Sequence, residues 1–264
     1  MTLIARTLSL MASCLFALVF SAQSEATTRT EIRPHLSLAR ELVDHVAPEN
    51  NRYVLGGQSI SFPGDIASGK YALSADCSGF LLALFDRAGY ATRSRMMYLK
   101  ASARRTRHSA EDFVLSIEHE AGFKRIERND DIWPGDLLAR TMLNSVDRSK
   151  TGRTGHVLLI NSQPKLISSR KPVVAGTRQF EVSIIDTSDE HSGDDDTRLV
   201  DPARKVTGIG RATIRLYADD QGELVGWART FARSDRFFSY SSRFPSNSKV
   251  RKAAVGRPLA TKTS

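Results

Sequence analysis

The chain has few cysteines, and their scarcity excludes several classes of protein. Only Cys14 and Cys77 occur among 264 residues, and Cys14 lies in an N-terminal apolar stretch typical of a secretion signal. A disulfide-stapled secreted fold needs several paired cysteines, and a structural zinc site needs four clustered cysteine or histidine ligands. One mature cysteine and six scattered histidines supply neither. We therefore expect no disulfide, no bound metal and no cofactor.

Long apolar runs are also scarce. The only long one, residues 8–20, follows Arg6 and is shorter than the roughly 20 residues of a membrane span. Ser24-Glu25-Ala26 then offers a small-x-small cleavage site. These features predict a signal peptide over residues 1–26 and a periplasmic or secreted mature protein with no integral membrane span. Because Cys14 lies inside the apolar run rather than after it, lipoprotein anchoring is the weaker interpretation.

Acidic residues are missing from two parts of a chain whose net charge is +9. Seven basic residues between 87 and 107, and six more between 241 and 264, have no acidic residue among them. A basic surface attracts polyanions, so anionic cell-wall polymers are candidate partners, with plain solvated charge as the alternative. No RNA- or DNA-binding motif is present, and no specific nucleic acid is expected. Low apolar content predicts residues 241–264 to be a basic, disordered tail.

The spacing of apolar residues predicts helices in the first half of the chain. Residues 36–46 and 109–120 have the pattern of amphipathic helices, and Ser109 is placed to cap the second one. An apolar helix begins at Cys77. Residues 50–75 are rich in Gly, Ser and Pro and predict a long loop with one short extended piece.

The second half of the chain predicts strands. Five short segments are rich in Ile, Val and Leu: residues 136–140, 156–161, 180–186, 212–218 and 224–230. Asp219-Asp220-Gln221-Gly222 between the last two is typical of a hairpin turn. Helices followed by antiparallel strands predict an α+β domain over residues 27–240, ending in an extra C-terminal hairpin.

Cys77 is the strongest candidate for a functional residue. An exported protein normally pairs its cysteines or lacks them, so a lone thiol at the start of a helix needs an explanation. Free N–H groups of the first helical turn and the helix dipole stabilise a thiolate, which is the nucleophilic form of cysteine. A small buried core residue is the alternative. The position favours a nucleophile.

His156 and Asp186 are the candidate partners of this thiol. His156 lies at the start of one predicted strand and Asp186 at the end of a later one. If the two strands pair antiparallel, about 4.8 Å apart, the carboxylate reaches the imidazole. It would then fix the tautomer and stabilise the imidazolium. His191, in a polar loop, is the alternative to Asp186.

Two further motifs are not interpreted as ligand sites. Residues 189–196 are dense in acid but lack the spacing of a calcium-binding loop, which predicts a solvated loop that pairs with Arg198 or with an amine-bearing substrate. Gly208-Ile209-Gly210-Arg211 precedes a strand rather than a helix, which argues against a phosphate-binding loop.

Several motifs, in this order, resemble those of the NlpC family of cell-wall cysteine peptidases, whose domain is papain-like. Tyr53-Val54-Leu55-Gly56-Gly57 resembles the segment before the family's nucleophile, and Asp76-Cys77-Ser78-Gly79-Phe80 matches the nucleophile motif at every position. Pro134-Gly135-Asp136-Leu137 and Gly155-His156-Val157 match the strand pair that carries the family's histidine. The resemblance covers about residues 50–190.

The resemblance implies a role for each motif. Cys77 would be the nucleophile, His156 the base and Asp186 the third residue of a catalytic triad. The positions implied for substrate or oxyanion binding are Tyr53, Asp76 and Ser78. The chain departs from the family in having Leu55 where a tryptophan is usual, and in the interval of 30 residues between His156 and Asp186. It would therefore be a divergent member.

The implied fold is papain-like, with N-terminal helices packed on a central antiparallel sheet. The implied function is that of an exported cysteine hydrolase that cleaves amide bonds in peptidoglycan stem peptides through an acyl-enzyme. Peptidoglycan or another cell-wall peptide would be its substrate. Two alternatives stay open: an acyltransferase or amidase that uses the same triad on another acyl substrate, and a non-catalytic cell-wall-binding protein.

Overall fold

The fold is described from a computed structural model of the chain. The structure describes residues 33–65, 69–97, 107–141, 154–199, 206–231, 236–241, 243–244 and 252–260. The predicted signal peptide lies outside the described residues. Within them, no helix has both the length and the apolar character needed to cross a bilayer.

Four α-helices occur among the described residues: α1 (Pro34–His45), α2 (Cys77–Arg87), α3 (Thr92–Arg95) and α4 (Ala110–Glu118). The two amphipathic helices predicted from periodicity are confirmed as α1 and α4, with small shifts at their ends. Ser109 caps α4 in a capping box with Asp112, whose carboxylate accepts hydrogen bonds from the Ser109 N–H and hydroxyl. Local spacing and cap residues therefore suffice to locate these helices.

A small three-stranded sheet precedes α2. It contains β1 (Asn51–Tyr53), β2 (Gln58–Ser61) and β3 (Ala72–Ala75) in the order β1-β3-β2. β1 pairs parallel with β3, and β2 pairs antiparallel with it. The prediction of a long loop with one extended piece is wrong here, because three- and four-residue strands leave too short a pattern to detect among Gly, Ser and Pro.

The main sheet has nine strands. They are β4 (Phe123–Ile126), β5 (Leu137–Thr141), β6 (Gly155–Ile160), β7 (Lys165–Ile167), β8 (Thr177–Ser188), β9 (Gly208–Asp219), β10 (Leu224–Arg229), β11 (Phe237–Ser239) and β12 (Ala253–Pro258). Their order is β11-β10-β9-β8-β6-β5-β12-β4, with β7 pairing β8, and every pairing is antiparallel. The predicted α+β class and the β9–β10 hairpin are confirmed, whereas β4, β7 and β11 had no sequence prediction.

β12 corrects the prediction of a disordered tail. Residues 253–258 lie between β5 and β4 and pair with both. Arg257 adds a two-pronged ion pair to the buried Asp136 carboxylate, with Nε–Oδ1 and Nη2–Oδ2 distances of 2.9 and 3.0 Å. Composition failed because a strand inserted between two others needs few inward apolar residues, here Ala254 and Val255. Residues 242, 245–251 and 261–264 of the predicted tail lie outside the described residues.

Three clusters of buried apolar residues occur among the described residues, and the two larger ones form most of the core of the main sheet. The larger one joins the helices to the sheet, and α2 packs directly against β6 and β8. Phe80, Leu81, Leu84 and Phe85 supply much of the helical side. The second cluster includes Leu158, Ile184, Trp227 and Phe238, whose two rings stack at 4.6 Å. This packing puts the beginning of α2 beside strands β6 and β8.

The described part of the first basic stretch is largely paired. Arg87, Arg93 and Arg107 each lie within 4 Å of an aspartate carboxylate, at 2.7, 2.7 and 3.8 Å respectively. These pairs reduce the positive charge that is available to an external polyanion. Residues 98–106 lie outside the described residues, so an interaction with anionic polymers stays a prediction.

Candidate active site

The start of α2 positions the Cys77 thiol. Asp76 is the N-cap, and its Oδ1 accepts hydrogen bonds from the Gly79 N–H at 2.7 Å and from the Ser78 hydroxyl at 2.9 Å. Cys77 is a free thiol and 6% exposed. Its sulfur lies at the helix end where first-turn N–H groups and the helix dipole favour negative charge. In the Asp-Cys-Ser-Gly motif, Asp76 thus caps the helix, and the Cys77 thiol belongs to the first residue of the helix.

The glycine pair before α2 packs against this cap. The second oxygen of Asp76 accepts from the Gly56 N–H at 2.7 Å, and the Asp76 N–H donates to the Gly57 carbonyl at 3.1 Å. A Cβ on Gly79 would lie 2.0 Å from the Gly57 oxygen, and one on Gly57 would lie 2.4 Å from the Ser74 oxygen. Only glycine lets these backbones approach so closely. Two motifs 20 residues apart therefore form one junction.

His156 lies between Cys77 and Asp186. Its Nε2 is 2.7 Å from Asp186 Oδ2, and the ring lies close enough to the Cys77 side chain for the charge of that side chain to raise its pKa. Because Nε2 is engaged by the carboxylate, Nδ1 is the nitrogen left for the sulfur. The predicted antiparallel pairing of the two strands is confirmed, with Leu159 opposite Ile185 in the register of β6 and β8.

Electrostatics at the pair favour an imidazolium. Burial by itself would lower the pKa of His156, whose side chain is 17% exposed. Interaction with the charge of the Cys77 side chain and the hydrogen bond to Asp186 outweigh that effect and raise the pKa of His156 to about 9. A protonated imidazole beside a thiolate is the arrangement that activates a cysteine nucleophile.

The Asp186 carboxylate remains ionised although it is buried. Burial would raise its pKa, but the charge of Arg198 and the hydrogen bond from His156 lower the pKa to about 2. Arg198 Nη2 lies 2.9 Å from Asp186 Oδ1. Arg140 lies opposite His156 in the register of β5 and β6, and its positive charge also lowers the pKa of Asp186. The carboxylate thus contacts a cation on each of its two oxygens.

The acidic segment contributes a buried partner to this cluster. Asp196 is buried rather than solvated, and its carboxylate binds Arg198 through Nε–Oδ1 and Nη2–Oδ2 contacts of 2.8 and 2.7 Å. The prediction that this segment pairs with Arg198 is confirmed. The contact of Arg198 with Asp186 was missed, because no local signal relates two residues on different elements.

The remaining predicted site residues have structural contacts. Tyr53 ends β1, opposite Ala75, and its N–H donates to the Thr207 hydroxyl at 3.2 Å. The Asp76 and Ser78 side chains are buried in the helix cap. Substrate or oxyanion contact by these three residues stays a prediction. His191, the alternative to Asp186, instead has its Nε2 3.3 Å from the Val206 carbonyl oxygen.

Two further features had no sequence prediction. Arg140 stacks on Trp227, with its guanidinium carbon 3.9 Å from the ring centroid. Val54 and Leu55, in the loop that leads to the glycine pair, are 41% and 47% exposed. Among the described residues, no group of three or more His, Cys, Asp and Glu side chains could hold a metal ion.

Comparisons with known proteins place the chain in no family. An uncharacterized protein of Acanthamoeba polyphaga mimivirus is 29% identical over 172 residues, which cover 63% of this chain and 73% of that protein. No protein-family model matches the chain, and no solved structure matches it.

Proposed function

We propose that the protein is a cysteine hydrolase of the papain-like, NlpC type. The observation that carries the proposal is the position of His156, whose Nε2 is 2.7 Å from the buried Asp186 carboxylate and whose pKa is raised by the nearby buried thiol of Cys77. A cysteine with a merely structural role needs neither partner. The motifs at residues 53–57 and 76–80, which resemble those of the NlpC family, form one packed junction around the thiol.

The geometry supports acyl transfer to sulfur. The Cys77 thiolate attacks the amide carbon, a C–S bond forms, and the carbonyl electrons move to oxygen. The Cys77 N–H, in the first turn of α2, is placed to stabilise that oxyanion. Collapse breaks the C–N bond while His156 gives its Nδ1 proton to the departing amine. Neutral His156 then takes a proton from water, which attacks the thioester and releases the acid and the Cys77 thiolate.

The proposed substrate is an amide in the stem peptides of peptidoglycan or another cell-wall peptide. It is supported by the NlpC-like motifs and by the N-terminal segment typical of a secretion signal, which would carry the mature protein to the periplasm or outside the cell. Incubation of residues 27–264 with purified peptidoglycan, followed by mass spectrometry of released fragments, tests this substrate. Absence of fragments from wild-type protein that alkylates rapidly would contradict the substrate and leave the nucleophile intact.

Alkylation tests the nucleophile without a known substrate. Iodoacetamide should label wild-type Cys77 at pH 6–7 at least tenfold faster than it labels the His156→Ala variant, because only the wild type holds an imidazolium against the sulfur. Cys77→Ala should fold normally, take up no label and show no turnover. Equal labelling of wild type and His156→Ala would point to the non-catalytic alternative, a cell-wall-binding protein with a structural cysteine.

One observation favours a second function. The exposed Val54 and Leu55 side chains lie in the loop that contacts the cap of the Cys77 helix, where an apolar acyl chain would find contact area. The same triad would then form a thioester that an amine resolves, as in an acyltransferase or amidase. Product analysis with added amine separates the two, since a transferase yields the conjugate and a hydrolase the free acid.

A further inference from the structure

A buried guanidinium lies directly behind the carboxylate that faces His156. Arg198 is 1% exposed, and its Nη2 is 2.9 Å from Asp186 Oδ1. The other oxygen of Asp186, Oδ2, is the one that His156 contacts at 2.7 Å. Each oxygen of Asp186 therefore lies beside a different partner: Oδ2 is hydrogen-bonded to His156, and Oδ1 forms an ion pair with Arg198 without hydrogen-bond geometry.

Arg198 is itself held in one orientation. Asp196 binds its Nε and Nη2 at 2.8 and 2.7 Å, and Nη1 donates to the Gly208 carbonyl at 3.0 Å. Gly210, opposite Asp186 in the register of β8 and β9, leaves room for the side chain, since a Cβ there would lie 2.5 Å from Arg198 Nε. This forked contact to Asp196, which holds Nη2 beside Asp186 Oδ1, suits arginine and not lysine.

We propose that Arg198, held by Asp196, is a positioning residue that orients Asp186 and, through it, the imidazole that faces Cys77. The role rests on the proposed function, because it concerns the same thiol–imidazole pair. Arg198 makes no hydrogen bond or ion pair with Cys77 or His156. It acts by keeping the third residue ionised and in place.

Arg198 is the cation shared by two buried carboxyl groups. Its Nη2 lies 2.9 Å from Asp186 Oδ1 and 2.7 Å from Asp196 Oδ2. Arg140 adds a positive charge toward Asp186 from β5. Without Arg198, two carboxylates would share the site with His156 and the weaker influence of Arg140. A buried carboxyl that loses its main cation takes up a proton more readily, and a protonated Asp186 no longer stabilises the imidazolium.

The test is the pH dependence of Cys77 alkylation by iodoacetamide in full-length mature protein. Arg198→Met should lower the rate at pH 6 at least tenfold and move the acid limb of the rate profile up by at least one pH unit. Arg198→Lys keeps the positive charge but not the bidentate guanidinium, and its alkylation rate should lie between those of Arg198→Met and the wild type. Arg211→Met is the matched control, because it removes an exposed arginine paired with Asp44 and should leave the profile unchanged.

A double-mutant cycle separates positioning from a general structural role. In an Asp186→Asn background, Arg198→Met should change the alkylation rate less than twofold, because the carboxylate through which Arg198 acts on His156 is already absent. The same loss in both backgrounds would overturn the proposal. If Arg198→Met does not fold, as judged by circular dichroism, Arg198→Lys is carried through the same cycle.

Different labelling results would refute the thiol–imidazole site and the positioning role of Arg198. Slow labelling of wild-type Cys77 would refute the thiol–imidazole site itself. Rapid labelling of wild type together with an unchanged Arg198→Met profile would refute the positioning role alone and leave the proposed function standing.

Discussion

The junction between the glycine pair and the start of α2 is the most sensitive point of the candidate site. Gly79 lies in the first turn of that helix, and a Cβ on it would be 2.0 Å from the Gly57 carbonyl oxygen. Both partners are backbone, so neither can rotate away as a side chain would. Gly79→Ala must therefore separate the helix from the loop that holds its cap.

The expected cost follows from that distance. Ordinary contacts of a Cβ begin at 3.4 Å, so the two segments must move apart by more than an ångström. Overpacking of this kind costs about 1–3 kcal/mol, and the better helix propensity of alanine recovers at most about 1 kcal/mol. We expect a net loss of about 1–2 kcal/mol in the free energy of unfolding. A displacement of about 1 Å at a reacting group lowers rates by about 10²-fold, which is the expected fall in Cys77 alkylation.

Urea unfolding followed by fluorescence measures the free energy of unfolding, and iodoacetamide labelling at pH 7 measures the reactivity of Cys77. Gly64→Ala is the matched control, because a Cβ at Gly64 has no neighbour within 4 Å. It should unfold and react as the wild type does. Wild-type stability together with wild-type labelling in Gly79→Ala would refute the reasoning, since the junction would then tolerate the separation.

Two other predictions concern the tail strand and acid stability. A chain that ends at residue 251 lacks β12 and leaves the buried Asp136 without its partner Arg257. Its free energy of unfolding, measured by thermal melts, should fall by at least about 3 kcal/mol. A chain that ends at residue 260 keeps β12 and should melt as the full chain does. Equal melting of both truncations would contradict the role of β12. Burial would raise the pKa of Asp186, but Arg198 and His156 outweigh burial and lower the pKa from 3.8 to about 2. Because the folded-state pKa is the lower one, the ionised carboxylate contributes about 2 kcal/mol of stability above pH 4. This contribution is lost as the pH falls toward 2. Urea unfolding at pH 5 and pH 2.5 should show that loss in wild type and not in Asp186→Asn, and equal losses in both would contradict it.

The sequence by itself determined the fold class and singled out the residues that meet at the site. Helices α1 and α4 follow from spacing and a cap, and the strands carrying His156 and Asp186 follow from short apolar runs. Cys77 stood out because it is the only cysteine outside the predicted signal peptide, and a lone cysteine is unusual in an exported protein. The proximity of His156 to Asp186 could be inferred from one assumption, antiparallel pairing, which the register of β6 and β8 confirms.

Only the tertiary structure decided which distant segments pair. β12 inserts between β5 and β4 although its composition resembles that of a disordered tail, and Arg198 reaches Asp186 across Gly210. The reason is physical: periodicity and capping act over a few residues and are written locally in the sequence. Strand partners and buried ion pairs instead depend on surfaces that exist only after the chain has folded.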